Sequence, residues 1–116
     1  MAQNRGHELQ GQVAIITGAG RGIGAAIALG LAELGATAVL CGRNRKPLDA
    51  TAANVVSAGG KAIVLECDVT NLRSVERAVE EVEATLRRVD VLVNNAGIGD
   101  SEVHCISWRP RVGTPS

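Results

Sequence analysis

Four short, unbroken apolar runs recur along the chain at nearly even intervals, and they limit its architecture more than any other feature. They are Val13-Ala14-Ile15-Ile16, Thr37-Ala38-Val39-Leu40-Cys41, Ala62-Ile63-Val64-Leu65 and Val91-Leu92-Val93. None alternates polar with apolar residues, so each reads as a strand buried on both faces of a sheet. The stretches between them carry apolar residues at spacings of three and four. Ile23, Ile27, Leu31 and Leu34 form one such stripe, Leu48, Ala52, Val55 and Val56 a second, and Leu72, Val75, Val79, Val82 and Leu86 a third. Strands joined through helices must run parallel with right-handed crossovers. The order βαβαβαβ therefore predicts an open, parallel α/β sheet in three layers, with helices on both faces.

The punctuation agrees with this division. Gly35 and Gly59-Gly60 stop two of the helical stripes. Asn44 and either Thr70 or Asn71 are placed to cap the second and third helices, and Pro47 falls in a first turn. Residues 1–11 are polar and contain Gly6 and Gly11, which predicts a flexible leader. Residues 12–100 form the ordered unit. Residues 101–116 lack an apolar period, contain Pro110, Gly113 and Pro115, and are expected to be an irregular tail.

Composition narrows the chemistry. The 116 residues are 46% apolar and 21% charged, ordinary for a globular domain. Aromatic side chains make up 1%, with Trp108 alone and neither Tyr nor Phe. That excludes a phenolic acid or base, and nucleic-acid binding that stacks bases on aromatic platforms. The charges sum to zero, so no net field draws polyanions. Basic residues nevertheless outnumber acidic ones six to three over residues 1–65. Cys41, Cys67 and Cys105 have neither metal-ligand nor redox-motif spacing, which points to reduced thiols in a cytoplasmic protein. No apolar run approaches the roughly 18 residues of a membrane span, and the N-terminus lacks a signal-peptide core. Ser101, His104, Cys105 and Ser107 sit too close in sequence to suggest a catalytic constellation or a closed metal site, so no catalytic or metal-ligating residue is assigned.

Between the first strand and the first helix lies Thr17-Gly18-Ala19-Gly20-Arg21-Gly22-Ile23-Gly24. Glycines in this position allow a turn with positive φ and let a diphosphate approach the backbone where no Cβ intrudes. The helix start behind them presents unpaired N–H groups and a positive dipole end. A glycine-rich turn without a ligand is the plainer alternative, weakened by the strand-loop-helix context that phosphate binding requires.

Together, Thr17-Gly18-x-x-x-Gly22-x-Gly24, Asp68-Val69 after the third strand and Asn94-Asn95-Ala96-Gly97 after the fourth resemble the N-terminal half of a short-chain dehydrogenase/reductase. The likeness runs over about residues 11–100 and leans toward the 3-oxoacyl-acyl-carrier-protein reductase branch. It implies a partial Rossmann-type sheet that stops before its second half. It also implies that Gly18, Gly22, Gly24 and the Ile23 amide line a dinucleotide diphosphate. Asp68 and Val69 would meet the adenine, and Asn95, Ala96 and Gly97 would lie beside the nicotinamide-side ribose. Asn94 or Asn95 would tie neighbouring strands. Taken singly, Asp68 can also be read as a loop carboxylate, and the asparagines as satisfying strand-end backbone.

Charge at the end of the second strand favours NADP over NAD. A carboxylate there binds a ribose 2′-hydroxyl, whereas a 2′-phosphate needs a cation. The strand ends Cys41-Gly42-Arg43-Asn44-Arg45-Lys46, with no acid before Asp49. Arg43 is the expected 2′-phosphate ligand, and Arg21 would close the other side.

In the family, reduction is carried by a Ser-Tyr-Lys set with an additional Asn, all beyond the asparagine motif. This chain has no tyrosine, and Lys46 and Lys61 precede that region. The expectation is a truncated oxidoreductase that keeps the dinucleotide-binding part of a hydride-transfer enzyme and is inactive alone. A non-catalytic nucleotide-binding module and a non-functional frameshifted fragment are the alternatives. A sheet ending at the fourth strand would expose that strand as an apolar edge, and self-association through the edge is expected.

Overall fold

The computed structural model describes residues 8–20, 22–68, 71–95 and 104–107, with Asn94 and the last four described by backbone only. The elements are β1 (Val13–Thr17), α1 (Gly22–Glu33), β2 (Thr37–Gly42), α2 (Arg45–Ser57), β3 (Lys61–Glu66), α3 (Leu72–Leu86), β4 (Val91–Asn94) and β5 (His104–Ser107). They form one sheet of order β3-β2-β1-β4-β5. The first four strands are parallel, with Ile15 opposite both Val39 and Leu92.

Because β1 is buried along its whole length, both faces of the sheet are covered. Val13, Ile15, Val39, Cys41 and Leu92 point to one side and pack with Val75, Val79 and Val82 of α3. Ala14, Ile16, Ala38, Leu40 and Val93 point to the other and meet Ala28 of α1 and Leu48 of α2. Two helices lie on one face and one on the other, which is the three-layer arrangement expected. No helix among the described residues is long and apolar enough to cross a membrane.

Helix α1 is rotated relative to its large apolar residues. The buried positions are Gly24, Ala28 and Ala32, with Ala28 packed on the strands, while Ile27 and Leu31 are only partly buried and Ile23 is exposed. Small residues let the helix axis come close to the strands, and the larger side chains then flank the contact line. Val56 and Leu72 depart from their stripes in the same way and stand exposed. Asn71 caps α3 by accepting from the Arg73 and Ser74 amides, but Asn44 makes no side-chain cap on α2.

Three further expectations are corrected at the ends of the chain and the edge of the sheet. The segment read as an irregular tail contains β5, which pairs antiparallel with β4, Leu92 opposite Ile106. An unpaired row of N–H and C=O groups along β4 is a ready template for another strand, and this stretch of the chain occupies it. β4 is consequently not an edge. Its Leu92 and Val93 are buried, and the sheet ends instead at β3 and β5. Residues 8–11, read as part of a flexible leader, form a turn in which the Leu9 amide donates to the Leu34 carbonyl at 2.7 Å. That carbonyl is one of those left without an intrahelical partner at the end of α1.

The lower ends of β1 and β4 are clasped by Asp90. Its carboxylate accepts the Val13 amide at 2.8 Å, its own amide donates to the Val13 carbonyl at 2.8 Å, and Arg88 forks onto both carboxylate oxygens at 2.8 and 2.7 Å. The Arg88 hydrogen bonds, helped by the Val13 amide, hold the carboxyl below its ordinary range against a smaller opposing effect of burial. The unfolded chain therefore binds this proton more tightly than the folded one. The stabilisation is complete above about pH 4 and is lost as pH falls through the unfolded value toward the lower folded one. In urea titrations, Asp90→Ala is expected to lower stability by about 1–3 kcal/mol at pH 7, with a flatter dependence on acid than the unmodified chain.

Candidate functional site

The carboxyl ends of the parallel strands carry the site, beside β1, where the strand order reverses between β2 on one side and β4 on the other. Such reversal points leave a crevice in open α/β sheets. The loop leaving β1 turns sharply, with Gly18 at φ +65° and Gly22 at φ +61°, a region that side chains other than glycine adopt at a cost. Gly18 donates to the Cys41 carbonyl at 3.0 Å, which draws the loop over the end of β2.

The loop is held from the β4 side by three hydrogen bonds. The buried Thr17 hydroxyl accepts the Asn95 amide at 2.9 Å and donates to the Val93 carbonyl at 3.4 Å. The Asn95 side-chain amide donates to the Gly18 carbonyl at 3.2 Å. Asn95 makes the tie expected of Asn94 or Asn95, and the Asn94 side chain lies outside what the structure describes. The helix start fits into this lock only because position 24 has no side chain. A Cβ there would overlap the Gly18 carbonyl oxygen and stand 2.8 Å from the Asn95 amide nitrogen. On the other side, a Cβ at Gly20 would come within 2.9 Å of the Pro47 Cβ, so α2 also presses on the loop.

At Gly22 the surroundings change. Among the described residues, a Cβ at that position meets nothing within 4 Å, which leaves the loop an open approach where α1 begins. The first turn of α1 contains no acidic residue to offset its positive end. Rigid glycine backbone, an open approach and an uncompensated helix N-terminus form a cradle suited to an anion such as a diphosphate.

Neighbouring strand ends carry the second half of the site. Arg43 follows β2 and Asp68 follows β3, and their side chains stand 3.9 Å apart, both substantially exposed. The Asp68 amide donates to the Ser74 hydroxyl of α3 at 3.0 Å, which fixes the backbone that carries the carboxylate. Asp49, the first acid after β2, pairs with Arg45 within α2 at 3.6 Å. Gly18, Gly22, Gly24, the exposed Ile23 and Asn95 thus gather at the cradle, and Arg43 and Asp68 form a separate pair. Arg21, Val69, Ala96 and Gly97 lie outside the described residues. No group of three or more His, Cys, Asp or Glu side chains suited to a metal occurs among the described residues. Sequence reasoning assigned no role to Thr17 or Ser74. A hydroxyl ending a fully buried strand must find partners, and that was the available signal for Thr17.

The model of the short chain dehydrogenase family matches residues 12–108. The chain is 44% identical over 92 residues to dehydrogenase/reductase SDR family member 1 of Mus musculus, covering 78% of this chain and 29% of that protein. It is 42% identical over 91 residues to a 3-oxoacyl-[acyl-carrier-protein] reductase of Synechocystis, covering 78% and 37%. Among solved structures, a metagenomic short-chain oxidoreductase in complex with NADP superposes with a TM-score of 0.74 at 48% identity, over 78% of this chain and 41% of that one. A citronellol catabolism dehydrogenase of Pseudomonas aeruginosa gives 0.74 at 38% identity, over 84% and 40%. The chain spans about a third of the length of the curated relatives it matches.

Two glycines of α1 separate the loop lock from general helix propensity. Alanine ordinarily stabilises an exposed helix interior by about 0.8–1 kcal/mol over glycine, and a Cβ at Gly30 meets nothing within 4 Å. Gly30→Ala should therefore raise the urea midpoint. Gly24→Ala should lower it, by an overpacking cost of roughly 1–3 kcal/mol, because the new Cβ displaces the Gly18 carbonyl or breaks its bond from Asn95.

Proposed function

The chain belongs to the short-chain dehydrogenase family, and from that premise we propose that it is the dinucleotide-binding part of an NADP-dependent oxidoreductase acting on a carbonyl or alcohol. The observation that carries this reading is the cradle at Gly22, open to solvent yet held rigid by Thr17 and Asn95. Bound there, the nicotinamide cofactor would supply or accept a hydride. The chain's own residues bind and orient it. Gly18, its amide held by the Cys41 carbonyl, and Gly22 line the diphosphate, the Ile23 amide at the start of α1 donates to it, and Gly24 keeps the helix close enough to present that amide. Asp68 and Val69 take the adenine edge, while Asn95, Ala96 and Gly97 stand at the nicotinamide-side ribose.

Arg43 selects NADP, with Arg21 assisting. Support comes from two arrangements around it. The first acid after β2, Asp49, is engaged with Arg45 on α2 rather than placed at the strand end. The contact between Arg43 and Asp68 is an exposed pair, a class usually worth no more than about 1 kcal/mol. Turning the guanidinium from Asp68 toward a 2′-phosphate therefore costs little, and a guanidinium fork on phosphate is stronger than the pair it leaves. The chain contains no tyrosine, so the reading assigns it binding and orientation of the cofactor and assigns none of its residues as the proton donor. The free Cys41 and Cys67 thiols suit a reducing, cytoplasmic setting.

Titration with NADP and NAD, followed by cofactor fluorescence or calorimetry, tests this. Arg43→Ala should weaken NADP binding by roughly 10- to 100-fold, the equivalent of losing one charge-assisted hydrogen bond of about 1.5–3 kcal/mol, and leave NAD nearly unchanged. Equal losses for the two cofactors would assign Arg43 a structural role.

A further inference from the structure

Cys41 and Cys67 lie on adjacent strand ends and on the same face of the sheet. Cys41 of β2 is opposite Leu65 of β3, and Cys67 comes two residues further along, so side-chain alternation returns it to the side of Cys41. Both thiols join the cluster under α3. The Cys67 amide donates to the Gly42 carbonyl at 2.9 Å, which holds its backbone against the residue after Cys41. Register and packing thus set the two side chains next to each other.

The partners differ in surroundings. Cys41 is buried. Cys67 is half-buried and lines an open cleft of about 190 Å³ between β3 and α3, together with Ser74 and Arg77. Ordinary liquid gives a water molecule about 30 Å³, so a small peroxide has room to enter. The Cys41 S–H, and to a lesser degree the Ser74 hydroxyl, pull the Cys67 thiol below the usual range against burial and the Asp68 charge. The same contact, with burial, pushes Cys41 up. One thiol is accessible and acidic, and the other is sheltered beside it.

From this juxtaposition we propose that Cys41 and Cys67 are an oxidisable thiol pair that hydrogen peroxide closes into an intrachain disulfide next to Arg43 and Asp68. The Cys67 thiolate attacks one peroxide oxygen, the O–O bond breaks, and the departing hydroxide takes the proton released from Cys67 to become water. The resulting Cys67 sulfenic acid is then attacked by the Cys41 sulfur. Its hydroxyl leaves with the Cys41 proton as a second water. Two thiols lose two electrons and two protons, and one peroxide is reduced to two waters.

The modification reaches the adenosine side of the site through two neighbours. Ser74 accepts the Asp68 amide at 3.0 Å and lines the same cleft as Cys67. Closing the disulfide removes the Cys67 thiolate from beside the Ser74 hydroxyl and leaves a neutral sulfur, a weaker acceptor. Drawing the ends of β2 and β3 together also moves the segments that carry Arg43 and Asp68. Oxidation therefore weakens NADP binding, a consequence that rests on the dinucleotide reading above.

The test treats the full chain with hydrogen peroxide, blocks remaining thiols with iodoacetamide and maps the peptides by mass spectrometry. The expected product has lost two hydrogens, with Cys41 joined to Cys67 and Cys105 alkylated. Cys41→Ala should stop the reaction at a dimedone-trapped sulfenic acid on Cys67. Linkage through Cys105, or oxidation of the unmodified chain without a Cys41–Cys67 cross-link, would overturn the proposal. Cofactor titration of the oxidised chain is the second readout, with NADP affinity lost and then restored by dithiothreitol. Unchanged affinity in the cross-linked chain would refute the coupling to the site. A chain that cross-links but binds no NADP even when reduced would instead count against the dinucleotide reading.

Discussion

The hydrogen bond from the Asn95 side chain to the Gly18 carbonyl, set against the bare backbone of Gly24, is the constraint on which the site depends. Gly18 begins a turn of positive φ directly after β1, and such a turn could swing away from the sheet. Asn95 and the buried Thr17 hydroxyl prevent this by joining the loop to the end of β4. The helix can then start against the loop because no Cβ separates the two. The strand ladder, the loop and the helix are one mechanical unit, and the amides at the start of α1, proposed to meet the diphosphate, inherit its rigidity. Preorganised amides lose little freedom when a ligand binds, which is where much of a binding site's advantage lies.

The sheet explains why the remaining residues converge on the same region. Parallel strands place every strand-to-helix loop at the same end. Residues after β1, β2, β3 and β4, far apart in sequence, therefore share one rim. Gly18 through Gly24, Arg43, Asp68 and Asn95 each follow a different strand. The contrast in strength among their contacts matters. The loop lock is buried or partly buried and fixed, whereas the Arg43–Asp68 pair is exposed and weak, so one part of the rim is rigid and the other can rearrange around a ligand.

Much of this was legible in the sequence because continuous apolar runs and glycine punctuation are local signals. Each of the four expected strands exists, extended by a residue or two into Thr17, Gly42, Glu66 and Asn94. Gly18, Gly22 and Gly24 could be recognised because backbone geometry demands glycine in such places. The face of α1 was not legible, since the largest apolar residues marked a stripe that the structure sets aside for Gly24, Ala28 and Ala32. Periodicity reports where side chains are apolar, and closeness of approach to the sheet decides which of them face inward. β5 escaped notice because pairing with β4 depends on an open ladder elsewhere in the chain, not on any period within His104–Ser107. The Thr17, Asn95 and Gly18 connections likewise span more than 70 residues of sequence, and a single sequence carries no pairwise signal for them.

If the loop after β1, locked by Thr17 and Asn95, is a dinucleotide diphosphate cradle, a bound cofactor must perturb its amides first. Amide-resolved NMR of the isotope-labelled chain, titrated with NADP, reads those amides one by one. The largest shifts should fall on the amides of Gly18, Gly20, Gly22, Ile23 and Gly24, with a second group at Arg43 and Asp68, while α3 beyond its first turn stays unchanged. Saturable shifts centred elsewhere on the sheet, with the glycine amides unmoved, would contradict it.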